Sequence, residues 1–132
     1  MNKYIWIFPV LFMFHDMEEV VGIKPWLEKN TDEIADRFPA AKKLLSAYKG
    51  ITTEGFALAV YEELIILIAV CALFEITGLE FVHGIWFGGL IGFTLHLVIH
   101  IFQAAAIRKY VPALITSVLS LPPSILLLIH SY

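Results

Sequence analysis

Tyr4-Ile5-Trp6-Ile7-Phe8-Pro9-Val10-Leu11-Phe12-Met13-Phe14 runs straight into His15-Asp16-Met17-Glu18-Glu19, and the chain then returns to Val20-Val21. The fold is decided by this order: apolar, ionisable, then apolar again within one segment of membrane length. Ionisable side chains in hydrocarbon are costly, so they turn toward a bundle interior and pair with one another or with an ion. The pattern recurs twice. One later apolar stretch contains Glu62-Glu63, and another contains His96 and His100. Three stretches that each bear this cost predict a shared site.

Composition agrees. Of 132 residues, 59% are hydrophobic and only 16% charged, and the mean hydropathy is +0.80. A soluble domain of this length would expose too much apolar surface. Four transmembrane helices are predicted, at about 4–22, 55–78, 82–106 and 110–130, each near the ~20 residues that a hydrocarbon core requires. They form an all-α bundle, a single membrane domain over residues 1–132. A cleavable secretory signal needs small residues after its apolar core. His15–Glu19 stands there instead, so this segment reads as the first span, bent at Pro9. Cys71 is the only cysteine and lies mid-span, which excludes an intrachain disulfide and marks it as a small apolar filler. No basic patch suited to nucleic acid is present.

Lysine and arginine set the predicted topology. Lys24, Lys29, Arg37, Lys42, Lys43 and Lys49 follow the first span, and Arg108 and Lys109 follow the third. The other side carries only Lys3, a ratio of eight to one. Loops 1 and 3 are therefore expected in the cytoplasm and both termini outside, with the plasma membrane of a prokaryotic cell as the expected location. Within loop 1, Asn30 with Glu33 three residues on fits a helix start. Ile34, Phe38, Ala41, Leu44, Leu45 and Tyr48 recur at helical spacing, which predicts an amphipathic interfacial helix at about 30–49, broken at Pro39. It could serve as an anchor or as a lid over a cytoplasmic opening.

Depth brings the ionisable residues together. At ~1.5 Å per helical residue, His15, Glu18 and Glu19 fall in the cytoplasmic half of span 1. Glu62 and Glu63 fall about two turns into span 2, and His96 and His100 about four to five turns into span 3, all at one level. His15, Glu18 and Glu19 share a helix face, with Asp16 off to the side. His96 and His100 are i and i+4, in line with Gly84, Gly88 and Gly92, a stripe that would let a neighbouring helix approach closely. Glu62 and Glu63 point roughly 100° apart, so one of them is expected at the site.

Imidazole with carboxylate suits zinc, iron or manganese. The set His15, Glu18, Glu19, Glu62 or Glu63, His96 and His100 exceeds what one tetrahedral zinc needs and approaches what a carboxylate-bridged pair of ions needs in a helical bundle. One or two divalent transition metals are therefore expected. The competing reading has the acids snorkelling at a span end and the histidines bonded structurally, or a buried proton network without metal. Gln103 would be an outer partner of His100. Glu75, Glu80, His83 and His130 lie near outer ends and read as interfacial or capping groups. Pro122-Pro123 is expected to break span 4, with Thr116, Ser117 and Ser120 re-satisfying the backbone.

His15-Asp16-Met17-Glu18-Glu19 resembles the motif that names the HXXEE family of membrane proteins. Tyr110-Val111-Pro112-Ala113-Leu114-Ile115-Thr116 resembles a Tyr-x-Pro-Gly-x-x-Thr stretch of that family, with Ala113 in place of the glycine. The resemblance spans nearly the whole chain. It implies a metal-binding enzyme in which Glu62 or Glu63, with His96 and His100, fills the later ligand places, and it supplies no substrate.

Two function classes follow. One is a membrane enzyme acting on a lipid or lipid-soluble substrate. In it a metal-bound water, with Glu18, Glu19 or Glu63 as base, hydrolyses an ester, amide or phosphate bond, or a dinuclear iron or manganese centre oxidises the substrate. The other is a metal-ion or proton transporter or relay, which lacks the internal repeat and through-going polar path of alternating access. Assembly into homo-oligomers is compatible with either.

Overall fold

The computed structural model describes residues 3–48 and 50–132, so Lys49 of the charge count lies outside the described residues. All of its regular structure is helical. A 3-10 turn, Lys3–Trp6, leads into α1, Ile7–Arg37. A second 3-10 turn, Pro39–Ala41, leads into the short α2, Lys42–Ala47. Then come α3, Thr53–Thr77; α4, Glu80–Ile107; and α5, Leu114–Ser131. Helices α3, α4 and α5 are long and apolar enough to cross a membrane. In α3, Leu58, Ile65, Ile68 and Ile76 face outward, as a lipid-facing helix requires.

Local chemistry sets most boundaries. Thr52 caps α3, its hydroxyl accepting from the Gly55 backbone N–H at 3.0 Å. Gly78 ends α3 at φ 63°, a left-handed conformation that glycine takes without steric cost. Pro39 follows the end of α1 and stops it as predicted. The N-terminus of α5 is less comfortable: Ala113 holds φ 80°, at the position where the resembled stretch carries glycine.

Four expectations are corrected. Asn30 does not begin a helix. It lies inside α1, donating its amide N–H to the Trp26 carbonyl at 2.8 Å and accepting from Lys109 Nζ at 2.8 Å, so α1 is one 31-residue helix instead of a span followed by a separate amphipathic segment. Pro9 does not bend mid-span. It lies in the first turn of α1, where its missing N–H has no intrahelical acceptor to lose. Pro122-Pro123 does not break α5, which continues from Leu114 to Ser131. The glycine stripe is not a close helix contact: a Cβ at Gly84, Gly88 or Gly92 would meet nothing within 4 Å, whereas Gly89 is the one on Phe8, at 3.4 Å.

The apolar core lies toward the outer end on the predicted topology. It comprises Ile5, Phe8, Cys71, Trp86, Leu90, Phe93, Leu97 and Leu127. Trp86 Nε1 donates to the Ile5 carbonyl at 3.1 Å, and the Cys71 thiol points at the same oxygen at 3.6 Å, so the buried cysteine fills the core as expected. Tyr4, Trp6, Glu75, His83 and His130 lie beside this end, with Trp6 donating to Glu75 at 3.1 Å and the Tyr4 hydroxyl 3.4 Å from His83. At the other end, Lys109 binds Glu33 at 2.5 Å, and Arg37 donates to the Ile107 carbonyl at 2.8 Å. These contacts fasten the tip of α1 to the end of α4, and α1 also packs on α3 and α5.

Candidate metal centre

His15 and Glu19 are one turn apart on α1, and His96 and His100 one turn apart on α4, so each helix offers a matched pair on a single face. The two pairs meet. Each of the four residues offers a ligand atom, and these atoms lie within 4.8 Å of one another. Glu19 Oε1 is 3.6 Å from His100 Nε2. Its Oε2 is 3.8 Å from His96 Nε2 and 3.9 Å from His15 Nε2. The two α4 imidazoles stand 2.9 Å apart through their Nε2 atoms. The His15 and His96 ring centres are 5.2 Å apart, well inside the reach of a shared site.

The group fits a metal ion by two tests. Ligand atoms each ~2.0–2.1 Å from one tetrahedral ion lie about 3.4 Å from one another, and the four observed separations bracket that value. The second test is what the nitrogens lack. His15 is fully buried, yet its Nε2 has no hydrogen-bond partner among the described residues. A buried nitrogen without a partner carries the full desolvation cost, unless a ligand meets it.

His15 is aimed by α5. Glu18 accepts from the Thr116 backbone N–H at 2.8 Å, from the Thr116 hydroxyl at 2.7 Å, and from the Tyr110 hydroxyl. With its proton on that carboxylate, the Thr116 oxygen is left to accept from His15 Nδ1, 3.2 Å away. Ser117 Oγ supports the same nitrogen at 3.5 Å. The proton is thereby assigned to Nδ1, and the Nε2 lone pair faces the group, the arrangement by which outer partners orient ligand histidines.

Of the residues expected at the site, the structure thus gathers His15, Glu19, His96 and His100. Glu18 turns away from them onto α5, with its oxygens occupied. Glu62 is exposed on α3 and outside the group. Glu63 is at its margin, lining a cavity of about 370 Å³ with His96 and Asp16. Asp16 is not off to the side: it is buried, and its Oδ2 has no hydrogen-bond partner among the described residues. A second cavity, of about 580 Å³, reaches Glu19, His100 and Gln103 from the α2 side, where Leu44, Leu45 and Tyr48 cover it.

Thr116, Ser117 and Tyr110 are residues around the group whose contacts sequence reading passed over. The hydroxyls of Thr116 and Ser117 were expected to serve the α5 backbone. The available signal was the Tyr110–Thr116 stretch itself, whose ends both bond to Glu18. One family model, described as "Protein of unknown function with HXXEE motif", matches residues 6–127. No curated protein matches the chain, and no solved structure does.

Proposed function

The chain belongs to the HXXEE-motif family, and we propose that it is a membrane-embedded metal-dependent enzyme acting on a lipid or other membrane-borne substrate. The observation that carries this reading is the gathering of one carboxylate and three imidazoles, from two helices, within 4.8 Å. His15, Glu19, His96 and His100 would hold one divalent transition metal; zinc, iron and manganese all suit that donor set. Such an ion supplies Lewis acidity and makes water a usable nucleophile near neutral pH.

The chain's own groups do the rest. Thr116 and Ser117 fix the His15 tautomer. Glu18 holds Thr116 in place and is a positioning residue in this reading. Asp16 and Glu63 stand beside the group without ligand duty, and a proton released there passes to Glu63, the more exposed of the two. The apolar walls of both cavities exclude water and admit a substrate from the bilayer. Hydrolysis is favoured over oxidation because the gathered donors suffice for one ion, and Glu18 and Glu62 are not placed to bridge a second.

In the same reading α1 joins α3, α4 and α5 as a fourth span, with loops 1 and 3 cytoplasmic and both termini outside. Its own charges, His15 to Glu19, set it apart in composition from the other three helices.

Metal analysis of protein purified without chelator tests the proposal. About one equivalent is expected for the four-donor set. Loss is expected on His96→Ala or His100→Ala, each of which removes a donor that water replaces poorly in a dry site. Glu62→Ala and Glu75→Ala should retain the metal. Stoichiometric absence of metal would sink the reading, and two equivalents of iron or manganese would turn it toward the oxidative alternative.

A further inference from the structure

The cavity of about 370 Å³ lies between α1, α3 and α4, and its two ends differ in chemistry. From Val70, Trp86 and Phe8 it passes Phe12 and Phe93 to reach Asp16, Glu63 and His96. Phe8 to Asp16 is eight residues of one helix, about 12 Å at ~1.5 Å per residue. Gly89 and Gly92 form part of the wall. A Cβ at Gly92 would meet nothing within 4 Å, so a larger side chain there enters empty space without pushing a helix aside. Gly92 keeps the slot open, while Gly89 packs against Phe8. At its polar end, Asp16 is only 7% exposed and its Oδ2 lacks a hydrogen-bond partner among the described residues.

We propose that this slot binds the single apolar chain of an amphiphile whose head is uncharged and donates hydrogen bonds, as a long-chain alcohol does. This rests on the metal-enzyme reading, to which it adds the class of the alcohol half: hydrolysis of a single-chain ester adds water across the acyl C–O bond and releases such an alcohol as product. The volume is near the lower bound of the ~300–1,000 Å³ typical of ligand cavities, which suits one chain rather than the paired tails of a bilayer phospholipid. Hydrogen bonding chooses the head. At the polar end Asp16 Oδ2 lacks a donor; a carboxylate or phosphate offers only further acceptors there, whereas a hydroxyl supplies the donor. The head then rests beside His96, at the edge of the donor group, with its chain directed away from it.

The test is photo-crosslinking in lipid nanodiscs with dodecanol that carries a diazirine at its chain end. Saturable labelling is expected near Phe8, Val70 and Trp86, competed by unlabelled dodecanol and not by dodecanoate. Gly92→Leu and Leu67→Trp, which fill the slot from opposite walls, should abolish the saturable component. Gly88→Leu, which faces open space elsewhere, should retain it. Non-saturable labelling, equal competition by dodecanoate, or labelling unchanged in both filled variants would each overturn the proposal. Metal is measured on the same samples. Saturable labelling without metal removes the enzyme reading and leaves the slot; metal without such labelling does the reverse.

Discussion

Thr116 meets the donor group through a single hydroxyl, which accepts from His15 Nδ1 and donates to Glu18. Thr116→Val keeps the shape and removes this link, so His15 Nδ1 keeps only the longer Ser117 contact at 3.5 Å. Metal affinity should fall about 10–100-fold, the usual cost of losing an outer partner, while Thr116→Ser restores it; competition against a chelating dye measures both. A structural hydroxyl with no bearing on the site would leave the affinity where it was. The four gathered residues were legible in the sequence because i, i+4 spacing fixes facing and distance along a span fixes depth. Thr116 and Tyr110 were not, because their role depends on where a different helix begins. Glu18 shares a helix face with His15, and the sequence could not say that α5 would claim it.

The start of α5 shows how far a single backbone angle reaches. Ala113 at φ 80° is fully buried, and left-handed geometry costs an L-residue roughly 1–2 kcal/mol. Ala113→Gly relieves that but loses a buried methyl worth about 0.8 kcal/mol and adds unfolded-state entropy worth about 0.4–1 kcal/mol. The terms nearly cancel, so Ala113→Gly should unfold within about 1 kcal/mol of the parent. Ala113→Val adds β-branching to the same angle and should cost more than about 2 kcal/mol, read from denaturant midpoints in micelles. A second element-scale test concerns the tip of α1. Lys109 beside Glu33 holds that carboxyl below its ordinary value of 4.5. The stabilising contact is complete above the ordinary carboxylate range and fades as pH falls through the lowered folded value. Amide protection near the end of α1, taken relative to the intrinsic exchange rate at each pH, should fall over that window, and Glu33→Gln should abolish that fall. The pair is exposed, so the effect is local. Asn30 was misread because its capping pattern is also compatible with a mid-helix position, and the partner that settles the matter, Lys109, is far away in sequence.

For the whole molecule, the eight-to-one distribution of Lys and Arg predicts that tags on both termini are reached by a membrane-impermeant label in intact cells; labelling only after lysis would reverse the assignment. The all-helical class and the apolar character of α3, α4 and α5 were legible because hydropathy and length report them directly; where α1 ends was not, because its capping pattern also fits a helix interior. The cavities were not, since an empty space is a property of how helices diverge, and the same glycines that suggest contact can equally line a void. The unbroken course of α1 has one more implication. At ~1.5 Å per residue its 31 residues extend about 46 Å, more than the ~30 Å hydrocarbon thickness. One helix therefore carries His15 and Glu19 within the bundle and Glu33 and Arg37 at its far tip, and Pro25 lies inside it between the two, where a backbone hydrogen bond is lost. The α1–α4 fastening at that tip holds the segment beyond Pro25 to the end of α4, so the helix is pinned on both sides of its weakest turn: by the donor group below it and by the Glu33 and Arg37 contacts above.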